Sequence, residues 1–206
     1  MLKPAGSACN LDCGYCYYLD KAAQYGGRQA VMADDLLELY IRQYIEANEV
    51  PVVTFCWHGG EPLLLGRDFY RRAVALQRKY AAGKRIENTL QTNGTLVDEA
   101  WCELFAENGF LVGLSLDGPE DIHDAFRRTK GGRPTFARVM RTVGMFRRTG
   151  VEYNTLSVVN RACEGRGAEI YRFFRDTVGS RYMQFLPAVE HVVDRAGLHR
   201  PLIVSP

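Results

Sequence analysis

Three thiols fall within eight residues in Cys9-Asn10-Leu11-Asp12-Cys13-Gly14-Tyr15-Cys16, at spacings of four and three. That is too compact for a pair of structural disulfides and one ligand short of a closed metal site. Thiolates hold iron–sulfur clusters, usually four to a cluster. With only three, one iron keeps an open position where a small molecule can bind. Cys9, Cys13 and Cys16 are therefore the expected metal ligands. Gly14 suits such a loop because it relaxes the backbone where the chain must wrap a bulky group. A zinc site would instead need a fourth ligand. His58 is the best candidate for that, and the chain would then be a zinc-stabilised binding module. A disulfide framework fits neither the chain length nor its start, Leu2-Lys3-Pro4-Ala5-Gly6-Ser7, which does not read as a signal peptide.

A second group of polar residues sits where strands are expected to end. Gly59-Gly60-Glu61-Pro62 follows an apolar run. Its glycines allow backbone groups to approach a ligand closely, and the Glu61 carboxylate can accept from an ammonium. Taken alone, the same four residues equally make a plain turn. Ser115 precedes Asp117-Gly118-Pro119, and its hydroxyl can donate or accept; a lone serine there is also an ordinary turn former. Arg127 beside Arg128 reads by charge as a solvated basic turn.

The elements that must position these residues alternate. Strands are expected at Leu2 to Ala8, Val52 to Trp57, Ile86 to Gln91, Phe110 to Leu116, Val151 to Val159 and Tyr182 to Val189. Helices are expected from about Asp34 to Asn48, Asp68 to Tyr80, Asp98 to Asn108, Glu120 to Phe126, Thr135 to Thr149 and Ala168 to Thr177. In the first helix Leu37, Ile41 and Ile45 recur at helical spacing, and Asp34 is the expected N-cap. Gly109 and Gly150 are expected stops. Strict alternation predicts an α/β fold with parallel strands and right-handed crossovers. Special residues at strand C-terminal ends favour a partial (β/α)6 TIM-like barrel, with a doubly wound sheet as the alternative.

Composition sets broad limits. The 206 residues suffice for one domain with a real core. A hydrophobic share of 47% and a charged share of 24% are those of a soluble globular protein. The formal charge of +2 points to no nucleic-acid partner, and no apolar run is long enough for a membrane span. Cys56, Cys102 and Cys163 are scattered singly in apolar stretches and read as small hydrophobes. A reducing, cytoplasmic setting suits all six cysteines.

The CxxxCxxC loop resembles the cluster loop of the radical S-adenosylmethionine (radical SAM) enzymes. That resemblance implies a [4Fe-4S] cluster whose open iron chelates the amino and carboxylate groups of S-adenosyl-L-methionine. Reductive cleavage then yields a 5′-deoxyadenosyl radical that abstracts hydrogen from the substrate. It also implies cofactor contacts at Tyr15, before the last cysteine, at Gly60 and Glu61 against the methionine moiety, at Ser115, at Arg127 for a carboxylate, and at Val189 against adenine. Core packing is the plainer reading of Val189.

Lys3-Pro4, Tyr17-Tyr18, Gly59-Gly60-Glu61-Pro62, Gln91-Thr92-Asn93-Gly94-Thr95-Leu96, Gly113-Leu114-Ser115-Leu116-Asp117-Gly118-Pro119 and Gln184-Phe185 together resemble the anaerobic sulfatase-maturating enzymes, from Lys3 to about Glu190. This implies oxidation of a sulfatase Cys or Ser to Cα-formylglycine, with a sulfatase polypeptide as substrate and a ferredoxin or flavodoxin as electron donor. Another peptide-modifying radical SAM enzyme is the alternative. The Gln91-to-Thr95 segment is expected at the barrel mouth, within reach of a peptide. The family carries a Cys-rich C-terminal region, called SPASM, with two further clusters and a general-base Asp. Residues 1–190 are therefore expected to form the radical SAM core and 191–206 an irregular tail leading to that absent region. The general base would lie beyond Pro206, and the core's open side is expected to be apolar.

Overall fold

The computed structural model describes residues 1–16, 18 and 31–188. Tyr17, Val189 and the tail at 191–206 lie outside the described residues. In chain order the elements are α1 (Asp34–Ala47), β1 (Val52–Trp57), α2 (Arg67–Tyr80), β2 (Arg85–Thr92), α3 (Glu99–Glu107) and β3 (Phe110–Ser115). There follow α4 (Glu120–Phe126), α5 (Phe136–Thr149), β4 (Tyr153–Val159), α6 (Gly167–Arg172) and β5 (Met183–Pro187). A π-helical turn, Phe173–Val178, continues α6 without a break.

All five strands are parallel and their spatial order is β1-β2-β3-β4-β5. Right-handed crossovers in an order that never reverses put all the helices on one face and curl the sheet as in a barrel. A doubly wound sheet would reverse its order part-way. The first expected strand shrinks to one parallel bridge, Leu2 to Trp57. Leu2 N–H donates to Cys56 O at 2.8 Å, and His58 N–H donates to Leu2 O at 2.8 Å. Pro4 then supplies no donor for a ladder, and the chain turns instead, with Gly6 N–H on Lys3 O and Ala8 N–H on Ala5 O.

The helix-facing side of the sheet is apolar. Val53, Phe55 and Trp57 of β1 and Phe110, Val112 and Leu114 of β3 are buried among the helices. Tyr70 meets Trp57 at 5.7 Å and Trp101 at 5.6 Å edge-on, and Trp101 stacks on Phe105 at 5.5 Å. Asn88 is a buried polar residue in this layer, and it is satisfied. It accepts from Trp57 Nε1 at 2.7 Å and from Gln77 Nε2 at 2.9 Å, and donates to Gln77 Oε1 at 2.9 Å. Cys102 and Cys163 are buried, whereas Cys56 is half-buried. No helix among the described residues is long and apolar enough to cross a membrane.

Helix starts follow local chemistry. Asp98 caps α3 by accepting from Trp101 N–H at 2.9 Å. Asp34 is not a cap: Ala33 holds that position without a side-chain bond, and Asp34 and Asp35 lie in the first turn, where negative charge suits the helix dipole. The start of α5 is capped from another element, since Asp124 Oδ1 accepts from Thr135 N–H at 2.8 Å and Phe136 N–H at 3.0 Å. Left-handed Gly109 and Gly150 follow α3 and α5, as expected.

Candidate functional site

The three-cysteine loop lies across the C-terminal ends of the strands and is tied to each of the first three. At the end of β1, Gly60 N–H donates to Gly6 O at 3.0 Å and Glu61 N–H to Ala8 O at 2.7 Å. The contact is so close that a Cβ on Gly60 would stand 2.1 Å from Ala8 O; only glycine fits. At the end of β2, Asn93 Nδ2 donates to Asn10 Oδ1 at 2.9 Å, and Asn10 Nδ2 to Thr95 Oγ1 at 2.8 Å. After β3, Asp117 accepts from the Tyr15 hydroxyl. The segment after α4 completes the collar. Gly14 N–H donates to Phe126 O at 3.0 Å, Asp12 N–H to Arg128 O at 2.8 Å, and Leu11 bridges Thr129.

Within this collar Cys13 is buried and Cys9 and Cys16 are half-buried. Burial pushes the Cys13 thiol up to about 12, with Cys9 and Cys16 adding to the rise and the Arg127 charge opposing it. Burial likewise raises Cys9, and Cys16 contributes to that rise. The three sulfurs are thus close enough to repel one another as thiolates. Two N–H donors aim at Cys9 Sγ: Leu11 N at 3.4 Å and Asn93 Nδ2 at 3.8 Å. Among the described residues, no three His, Cys, Asp or Glu side chains gather as ligands for a single ion. A zinc ion needs its sulfurs about 2.3 Å from one point. A cubane cluster places each thiolate on a different iron, so neighbouring sulfurs that do not meet at one point still suit it. His58, the expected zinc ligand, spends Nδ1 on Gly59 N–H at 2.8 Å.

Glu61 is fully buried. Its Oε1 accepts from Leu63 N–H at 3.0 Å and from the Thr92 hydroxyl at 2.8 Å, and its Oε2 from Asn93 N–H at 2.8 Å. It therefore bolts the end of β1 to the end of β2, with both oxygens engaged by protein donors. Burial pushes its carboxyl up to about 7 despite those three bonds.

Asp117 is fully buried as well. Its Oδ1 accepts from Val158 N–H at 3.0 Å, and its Oδ2 from Arg127 Nε at 3.0 Å and from Tyr15. Arg127 is not a solvated turn: its side chain is 8% exposed, while Arg128 is exposed. Burial works to lower the Arg127 pKa, but Asp117 and Tyr15 outweigh it and hold it well above its ordinary value. The guanidinium lies over the Tyr15 ring at 5.5 Å. Beneath the pair, His123 Nδ1 accepts from Asp117 N–H at 3.3 Å, and Nε2 meets Thr135 Oγ1 at 3.0 Å. The Thr135 hydroxyl donates to Arg127 O at 2.7 Å. Its proton is thereby used, so His123 must donate from Nε2 and stay neutral. Burial first, then the Arg127 charge, push His123 down to about 3.

Ser115 ends β3 with its Oγ accepting from Gln91 Nε2 at 3.0 Å. Gln91 pairs in register with Gly113, so both it and Ser115 belong to the inner face of the sheet. Tyr15, Gly60, Glu61, Ser115 and Arg127 therefore share one end of the fold with the three cysteines. Asn10, Asn93, Thr95, Asp117 and His123 were not singled out by type and spacing, although four of them lie in segments already prominent in the sequence. The side chains of Asn93 and Thr95 bond to Asn10 of the cysteine loop, and Gln91 of that segment bonds to Ser115 on the inner face.

Residues 4–161 match the model of the radical SAM superfamily. A serine-type anaerobic sulfatase-maturating enzyme of Bacteroides thetaiotaomicron is 46% identical over 194 residues, which are 94% of this chain and 47% of that protein. A cysteine-type counterpart from Clostridium perfringens is 37% identical, over 96% of this chain and 53% of its own. The chain thus spans about half the length of the curated relatives it matches. A solved structure described as native anSMEcpe with bound AdoMet and a Kp18Cys peptide superimposes with a TM-score of 0.85 at 35% identity, covering 94% of this chain and 52% of that one.

Proposed function

The chain belongs to the radical SAM superfamily, whose members use a [4Fe-4S] cluster and S-adenosyl-L-methionine, and from that premise we propose that it is the cofactor-binding core of an anaerobic sulfatase-maturating enzyme. When bound, the cluster and the sulfonium nucleotide supply a 5′-deoxyadenosyl radical, which takes hydrogen from the β-carbon of a sulfatase Cys or Ser on its way to Cα-formylglycine. Cys9, Cys13 and Cys16 would hold the cluster, and Gly60, Ser115 and Arg127 would contact the nucleotide. Tyr15 would steady that site, and Val189 would meet adenine. Glu61 would act by fixing the two strand ends against the loop. The protein would be cytoplasmic and would draw its electron from a ferredoxin or flavodoxin.

The observation that carries this reading is the collar itself: three cysteines of one short loop held at the strand ends, with two N–H donors aimed at Cys9. Such donors stabilise a thiolate. Relatives of both serine and cysteine type support either residue as the substrate. Anaerobic reconstitution tests it. The protein should turn brown with an absorption shoulder near about 400 nm and should release 5′-deoxyadenosine under reduction. A colourless protein, or no product above a Cys13→Ala control, counts against the proposal.

A further inference from the structure

We propose that Asp117 is a positioning residue that sets the affinity for S-adenosyl-L-methionine by holding the Arg127 guanidinium toward the nucleotide's carboxylate. This rests on the cofactor reading above and adds to it a residue with no contact of its own to the ligand.

Arg127 donates Nε to Asp117 at 3.0 Å. Its Nη1 and Nη2 groups make no hydrogen bond among the described residues, although the side chain is only 8% exposed. Buried donors without acceptors are costly, so these groups call for an anion. A guanidinium is a rigid plane. Fixing Nε on a buried carboxylate, with the Tyr15 ring 5.5 Å from the guanidinium carbon, leaves the two Nη groups a single direction. Asp117 is in turn immobile. Val158 N–H holds Oδ1 at 3.0 Å, the Ser157 hydroxyl donates to its carbonyl at 3.1 Å, and its own N–H meets His123 at 3.3 Å. The direction of Arg127 is thereby set by β4 and α4 as well as by the loop that carries the cysteines.

Two effects of Asp117 oppose each other. Its charge repels an incoming carboxylate, while its bond orients the fork that receives it. Charge-assisted bonds to a fixed guanidinium are strong and geometrically demanding, so orientation should win. Asp117→Asn would keep the shape but leave one acceptor oxygen for two donors, so Val158 N–H and Arg127 Nε could no longer both be held.

The test measures nucleotide binding to the anaerobically reconstituted protein by equilibrium dialysis, alongside iron content and thermal midpoint. Two probes are used, S-adenosyl-L-methionine and its decarboxylated analogue. Asp117→Asn should weaken S-adenosyl-L-methionine binding about tenfold or more and change analogue binding by less than about twofold. Arg127→Gln should behave alike, and the double variant should be no weaker than Arg127→Gln alone. If Asp117→Asn loses iron, Asp117→Glu, which keeps the charge and shifts the fork, is compared with the same two probes. Equal losses for both probes, tighter S-adenosyl-L-methionine binding, or additive losses in the double variant overturn the proposal. Iron-loaded wild-type protein that binds neither probe would instead overturn the cofactor reading.

Discussion

Two buried titratable residues pull the stability of this protein in opposite directions with pH. Glu61 stays protonated in the folded chain up to about 7, against an ordinary 4.5. Between those values the unfolded chain has released a proton that the native one keeps, so stability falls as pH rises. His123 is held neutral down to about 3, against 6.5. Between those values the unfolded chain binds a proton that the native one refuses, so stability rises with pH. Each slope is about 1.4 kcal/mol per pH unit, and between 4.5 and 6.5 they oppose one another. Urea unfolding of the wild type should be nearly flat there. Glu61→Gln should uncover stability that climbs with pH, and His123→Asn stability that declines; parallel curves for all three proteins would refute the pairing. Glu61→Gln should also cost about 1–3 kcal/mol at its best pH, because its amide would turn a donor toward Asn93 N–H. The cysteine loop could be read from three thiols in one short stretch. The residues that hold it could not, because Tyr15 and Asp117 are 102 residues apart and Asn10 and Asn93 are 83 apart. Nothing local in a sequence reports such pairs.

At the scale of elements, the loop depends on a close backbone approach at the end of β1. Gly60→Ala would drive a methyl group into Ala8 O, and that carbonyl cannot give way without moving the loop. The variant should keep its far-ultraviolet circular dichroism yet incorporate little iron on reconstitution. Asp124→Ala should uncap α5 and lower stability by about 1 kcal/mol, measured by chemical denaturation, since one oxygen serves two N–H groups there. Most elements were readable because glycine stops and apolar spacing mark their limits; α4 falls at Glu120–Phe126, as expected. The start of the chain misled for a definite reason. Leu2 does pair with β1, but Pro4 cannot extend the ladder, so an extended composition yields a single bridge.

The molecule as a whole is held by one apolar layer between the sheet and its helices. Phe105 lies at its centre, stacked on Trp101 at 5.5 Å, tilted against Phe110 at 5.5 Å and edge-on to Phe146 at 6.5 Å. Phe105→Ala should cost about 3–5 kcal/mol, read as a lowered urea midpoint with an unchanged slope. Alternation and right-handed crossovers fit an unreversed strand order and a doubly wound sheet alike, and it was the residues at the strand ends that favoured the former. That order has a further consequence for how the protein is made. Neighbouring strands can pair as they leave the ribosome, but the loop near the N-terminus rests on Asp117, which is itself seated on Val158. Iron delivered to a nascent chain would meet three untethered thiols. The receptacle at the cysteine loop is therefore complete only after β4 has been synthesised, and a shorter chain lacks the strand on which Asp117 is seated.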